Sequence, residues 1–168
     1  MSDLYSDPHY SFADSDLGAG KPQTSIYVAS SWRNTEHPKV VVTLRDMGFK
    51  VYDFRHPNGG KGFAWSSVAS EWNRGHDNCT PEEFLEALQD PLAKQGFHRD
   101  FNAMQEASIF VLVLPCERDA HLELGWAAGA GKETVILLDN PTKASLMYMM
   151  VDHISPDLDD LKEWLSGA

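Results

Sequence analysis

Basic side chains are scarce in this sequence: 14 Lys and Arg stand against 25 Asp and Glu, a formal charge of −11 at pH 7. Proteins that grip nucleic-acid polymers normally carry a basic face that neutralises phosphates. No Lys/Arg cluster occurs here, so no nucleic-acid polymer is expected as partner, although a small anion needs only one or two donors. Cysteine is also scarce, and Cys79 and Cys116 are too few for a disulfide framework. The longest apolar run, Ile109 to Leu114, is too short to cross a bilayer. The N-terminus has neither a basic patch nor an apolar h-region, so a cytoplasmic protein with no membrane partner is expected. Seven histidines form no HExxH and no paired ligand spacing, and His76 to Cys79 matches a metal site poorly, so no metal is expected. There is no GxxxxGK[ST] phosphate loop, and Ser66 lacks a GxSxG elbow.

What remains is ample for one domain: 168 residues, 42% of them hydrophobic. Residues 1–24 are rich in Ser, Asp, Gly and Pro and read as a poorly ordered or loosely docked arm, with Tyr5, Tyr10 and Phe12 available for packing. From residue 25 to 168 the pattern is that of a single domain. Strands are expected at Ser25–Ala29, Lys50–Phe54, Ser108–Pro115, Thr134–Leu138 and Asp152–Ile154. Helices are expected over Pro38–Met47, from Thr80–Pro81, over Phe97–Ala107, over Ala120–Ala130 with Asp119 as cap, near Ser145–Met150, and over Asp157–Leu165. Between them, Arg55 to Cys79 is a long connection holding Trp65 and Trp72, of a length more often functional than idle. These tryptophans suit a lid or base stack as well as local packing. The alternation implies an α/β fold of flavodoxin-like or Rossmann-like type, with a parallel five-stranded sheet between two helical layers.

In such sheets a ligand lies beyond the carboxyl ends of the strands. That points to Ser30–Asn34, Pro115–Asp119 and the segment after Leu138. Glu123, at the start of the helix after the most apolar strand, faces that crevice with helix-dipole support. The same pattern also suits an ordinary exposed first-turn glutamate. Asp100 is a second carboxylate near a helix start, where an N-terminal cap is the plainer reading. Two carboxylates converging on one crevice would allow one to attack an anomeric carbon while the other manages a proton. Arg33 and Asn34 can hold a phosphate or a base edge, or simply begin a solvated helix. Cys116 follows a strand and reads as a buried structural thiol rather than a reactive one.

From Ser25 to about Ile154 the chain resembles the nucleoside 2-deoxyribosyltransferase family, which includes nucleotide N-hydrolases. The resemblance rests on Ile26-Tyr27-Val28-Ala29 with Ser30-Ser31-Trp32, on Asp100-Phe101-Asn102-Ala103-Met104, and on Glu123-Leu124-Gly125-Trp126-Ala127. Gly131-Lys132 and Ser145-Leu146-Met147 follow in the same order. It implies Glu123 as nucleophile and Asp100 as the group managing the proton of the departing base. Tyr27, Ser31, Trp32, Arg33, Glu117, Ser145 and Met147 are the implied substrate contacts, with Ser145 reaching a neighbouring subunit's site. Ser108 and Ser145 depart from the Asp and Asn usual at those positions. The implied activity is transfer of a deoxyribosyl group between nucleobases through a glycosyl-Glu123 ester, with no cofactor and in a homo-oligomer, a dimer or larger. Nucleoside 5′-monophosphate hydrolysis is one alternative. Another is NAD glycohydrolysis of the Toll/interleukin-receptor type. A module that binds a nucleoside without turnover is a third.

Overall fold

The computed structural model describes residues 23–70, 72 and 79–167. The expectations for the N-terminal arm, apart from its last two residues, and for His76 lie outside these. Five strands, β1 (Ser25–Ala29), β2 (Lys50–Asp53), β3 (Ile109–Val113), β4 (Glu133–Leu137) and β5 (His153–Ser155), form one sheet in the order β2-β1-β3-β4-β5. Every pairing is parallel. The described residues include five α-helices, α1 (His37–Asp46), α2 (Pro81–Ala87), α3 (Pro91–Glu106), α4 (Arg118–Gly129) and α5 (Leu158–Ser166), of which α1, α3, α4 and α5 pack on the sheet.

The three layers follow from which residues alternate along each strand. Val28, Val111 and Val135 point to one face, where Val40, Val41 and Leu44 of α1 and Leu161 and Leu165 of α5 cover them. Tyr27, Phe110, Leu112 and Ile136 point to the other, against Met104 of α3 and Ala120, Leu124 and Ala127 of α4. All five residues of β3 are buried, as its unbroken apolar run requires of a central strand covered on both sides. The parallel α/β fold with a five-stranded sheet is therefore as the sequence implies.

The helix ends differ in instructive ways. The helix expected from Thr80–Pro81 is present: Thr80 forms a capping box with Glu83, and Pro81 opens α2. The next helix starts at Pro91 with Asp90 as its cap, six residues ahead of the expected Phe97. Its early turns carry exposed Leu92 and Phe97, which blur the apolar period. Gly96 inside it reads as a break, but its missing Cβ lets the helix approach Phe63, whose Cγ would lie 2.8 Å from a side chain there. Gly48 ends α1 at φ 93°, a conformation glycine adopts freely. The helix expected from Ala120 begins instead at Arg118, with Glu117 at the cap position and no side-chain cap bond.

Candidate active site

Register across the sheet sets out the centre of the site. Tyr52 of β2, Tyr27 of β1 and Phe110 of β3 are successive register partners. Their rings stack in a row, Tyr27 lying 5.3 Å from Tyr52 and 5.1 Å from Phe110 between centroids. The two hydroxyls at the end of this row go to different helices. Tyr27 donates to Glu123 Oε1 at 3.1 Å, and Tyr52 donates to Asp100 Oδ1 at 2.5 Å. Arg99 Nε donates to the same Asp100 oxygen at 3.2 Å. Two carboxylates from α4 and α3 are thus tied to neighbouring strands of one sheet.

Glu123 lies in the second turn of α4, not the first, because the helix starts two residues earlier than expected. What matters is its phase. Ala120, Glu123, Leu124 and Ala127 recur at helical spacing on the sheet-facing side, and Glu123 is partly buried. Leu122, apolar and next to Glu123 in the sequence, falls on the opposite side of the helix and is 73% exposed. Asp100 is likewise no first-turn residue, since it lies well inside α3.

Burial dominates the electrostatics. It pushes the Glu123 carboxyl up to about 8; the Tyr27 hydroxyl pulls it down, while the charges of Asp100 and Asp119 push it further up. Burial also raises Asp100, opposed by the Tyr52 hydrogen bond and the Arg99 guanidinium. Both tyrosine hydroxyls are raised, chiefly by burial. Cys116, in the turn after β3, is pushed up to about 12 by burial and by the charges of Glu123 and Asp139. A shift in this direction disfavours the thiolate, although Sγ lies 3.4 Å from His121 Nδ1.

The other implied residues divide into three groups. Arg33 and Glu117 form an ion pair at the mouth of the crevice, both more than half exposed. Asn34 is spent on the fold: its amide donates to the carbonyls of Val113 and Pro115, and its oxygen accepts from Glu36 N–H. Ser31 Oγ accepts from Arg33 N–H, and Trp32 packs edge-on against Phe54. Ser145 and Met147 face α4 at Leu124, Gly125 and Ala128. They line a hollow of about 150 Å³ with His121, Gly125 and Tyr148, where His121 Nε2 and the Tyr148 hydroxyl are 3.0 Å apart. Trp72 is buried and Trp65 packs on it and on Phe63 and Phe84, which supports packing over a lid. A further hollow of about 900 Å³ runs along β2 beside α3; it reaches Tyr52 and Arg99, but neither carboxylate of the pair lines it. Among the described residues no cluster of three or more His, Cys, Asp or Glu could hold a metal ion, and no helix is long and apolar enough to span a membrane.

Tyr52 and Arg99 were not singled out by the sequence. The one hint is that Tyr52 alternates with buried Val51 and Asp53 on a strand that neighbours β1.

No protein-family model and no curated protein matches the chain. Among solved structures it is similar to a CMP N-glycosidase of Clostridium botulinum, at 16% identity and a TM-score of 0.45, covering 86% of this chain and all of that one. It is also similar to a 2-deoxyribosyltransferase of Bacillus psychrosaccharolyticus, described as a biocatalyst for nucleoside synthesis. There the identity is 21% and the TM-score 0.51, over 83% of this chain and 90% of that one. The chain has the fold of that 2-deoxyribosyltransferase.

Proposed function

We propose that this protein cleaves the N-glycosidic bond of (deoxy)nucleosides by double displacement and passes the deoxyribosyl group to a second nucleobase. The observation that carries the reading is a pair of partly buried carboxylates, Glu123 and Asp100, each held by a tyrosine of the same sheet. The shared fold and the match of Glu123-Leu124-Gly125-Trp126-Ala127 to the family's signature support it. In the first step a Glu123 oxygen bonds to the anomeric carbon, and the bond to the base nitrogen breaks with its electron pair leaving on the base. Asp100 manages the proton that the departing base takes up. In the second step the incoming base attacks the anomeric carbon, loses a proton, and expels the Glu123 carboxylate. Retaining glycosidases, which use the same logic, space their carboxyl groups about 5 Å apart. The anionic surroundings stabilise the oxocarbenium-like charge that develops in each step. No cofactor takes part.

Charge favours nucleosides over their 5′-monophosphates. The charges of Asp100 and Asp119 act on Glu123 and that of Asp139 on the neighbouring Cys116, and Arg33 at the mouth is already paired with Glu117. Tyr27, Ser31, Trp32 and Arg33 would contact the substrate from the β1 side and Glu117 from the β3 side.

The reading also includes a homo-oligomer in a cytoplasmic setting. Leu122, Leu146, Met147, Met149 and Met150 are each at least 55% exposed, more apolar surface than a monomer normally leaves in one region. Ser145 and Met147 would then serve the site of an adjoining copy. Incubation with a panel of deoxynucleosides and deoxynucleotides, with and without a second base, tests the activity by chromatography. A new nucleoside supports transfer, free base alone means hydrolysis, and no product from any member refutes the reading.

A further inference from the structure

Asp100 is held from two sides, and both donors take the same oxygen. Tyr52 and Arg99 reach Oδ1 at 2.5 and 3.2 Å, and no described hydrogen bond goes to Oδ2. Glu123 has one described donor, the uncharged hydroxyl of Tyr27. Two donors, one of them cationic, stabilise a carboxylate anion more than a single neutral donor does. The groups facing the pair are Tyr27 from β1, Tyr52 from β2, Arg99 from α3, Asp119 from α4 and Cys116 from the turn after β3. Within this set Arg99 is the cation, and it sides with Asp100.

We propose that Tyr52 and Arg99 are positioning residues that pin Asp100 as an anion by Oδ1, leaving the pair's single proton on Glu123 in the empty site and Oδ2 free to meet the departing base. The proposal rests on the reading of Glu123 and Asp100 as the reacting pair. It closes the proton count of the first step without solvent. As its oxygen bonds to the anomeric carbon Glu123 gives up its proton to Oδ2 of Asp100, the base leaves with the electron pair of the broken C–N bond, and Asp100 passes that proton to the base and is again an anion. The pair carries one negative charge before the step and one after it. Burial raises both carboxyls, Glu123 up to about 8; at Asp100 the Tyr52 hydroxyl and the Arg99 guanidinium oppose the rise, whereas at Glu123 only the Tyr27 hydroxyl does.

The test titrates the two side-chain carboxyl carbons by NMR in the full-length wild type, Tyr52→Phe and Arg99→Gln. Tyr52→Phe keeps the ring stack and removes only the hydroxyl. In the wild type Glu123 takes up its proton first as pH falls. Loss of either donor raises the Asp100 midpoint by about one pH unit, as expected for a hydrogen bond to a charged group. The acid limb of the kcat/KM profile moves with it, kcat falls about tenfold and KM changes little; a merely structural role for Tyr52 would leave the acid limb in place. Arg99→Lys, which keeps the cation, restores part of the wild-type midpoint. The proposal is overturned if Asp100 takes up its proton first in the wild type, or if its midpoint stays put in both folded variants. If the wild type releases no base from any nucleoside, the function reading fails instead, while the carboxyl titration still decides the proton assignment.

Discussion

Replacing Glu123 by Gln should stabilise the protein, and should do so increasingly as pH rises. Burial holds this carboxyl at about 8 against an ordinary value of 4.5. Below 4.5 it is protonated in folded and unfolded chains alike. Between 4.5 and about 8 the unfolded chain releases the proton and the folded chain keeps it, so raising the pH favours unfolding. The stability associated with the neutral carboxyl is therefore fully present below 4.5 and lost as pH climbs through about 8. At about 1.4 kcal/mol per pH unit, the interval from 4.5 to about 8 sets a ceiling of about 5 kcal/mol. Water entry and local relaxation around the ionised group reduce this, leaving an expected gain of about 2–3 kcal/mol near pH 8.5 and little near pH 5.

Gln keeps the shape and can still accept from the Tyr27 hydroxyl, so packing changes little. Urea unfolding of both proteins at the two pH values, at one fixed protomer concentration, measures the effect. His37 also titrates abnormally, its folded value lowered to about 4 chiefly by burial. It loses stability as pH falls below its ordinary 6.5, and it does so equally in both proteins, so it cancels in the difference. An advantage for the variant that is the same at both pH values to within about 0.5 kcal/mol would refute the claim that the fold keeps Glu123 neutral.

Asp100→Asn should slow base release by about 100-fold or more for the most basic leaving groups and less for good ones, read from a series of substituted bases; equal loss for every base would count against its proton role. Glu117→Gln frees Arg33 from its ion pair, and the ratio of 5′-monophosphate to nucleoside cleavage should rise about tenfold in competition assays. Gly96→Ala places a methyl 2.8 Å from Phe63 Cγ, which should cost about 1–3 kcal/mol in urea unfolding. Light scattering coupled to gel filtration at micromolar concentration should give a mass well above the 18.8 kDa of one chain, and Leu146→Ser with Met149→Ser should bring it down; a monomer with full activity would rule out a shared site.

The sheet was legible in the sequence because its strands are short apolar runs between turn residues, and each lies within two residues of its expected place. The helix starts were less so. Asp90-Pro91 is a good start signal, but exposed Leu92 and Phe97 and the mid-helix Gly96 hid the period behind it. Glu123 was legible as a residue and not in its setting, since two extra residues at the start of α4 move it out of the first turn. Trp32, Asn34 and Trp65 carried plausible site chemistry in sequence and turn out to be tied into local packing or backbone hydrogen bonds. Tyr52 was invisible for a different reason. Its role depends on strand order, and nothing local in Lys50-Val51-Tyr52-Asp53 says that β2 pairs with β1 at the register of Tyr27.

That dependence has a mechanical consequence. Carboxylates on two separate helices could drift with every adjustment of helix packing, since side chains on α3 and α4 meet the sheet through apolar contacts that fix distance loosely. Here each is tied to a strand by a tyrosine hydroxyl, and the two tyrosines are register partners whose rings stack at 5.3 Å. The two tyrosine anchors therefore stand one strand spacing apart, about 4.8 Å, and each reaches its carboxylate through a stiff ring with few rotatable bonds. A sheet buried on both faces is the least deformable part of an α/β domain. Anchoring both carboxylates to the sheet, and leaving the helices only to supply them, lets the loops around the crevice vary without disturbing the tyrosines that hold the pair.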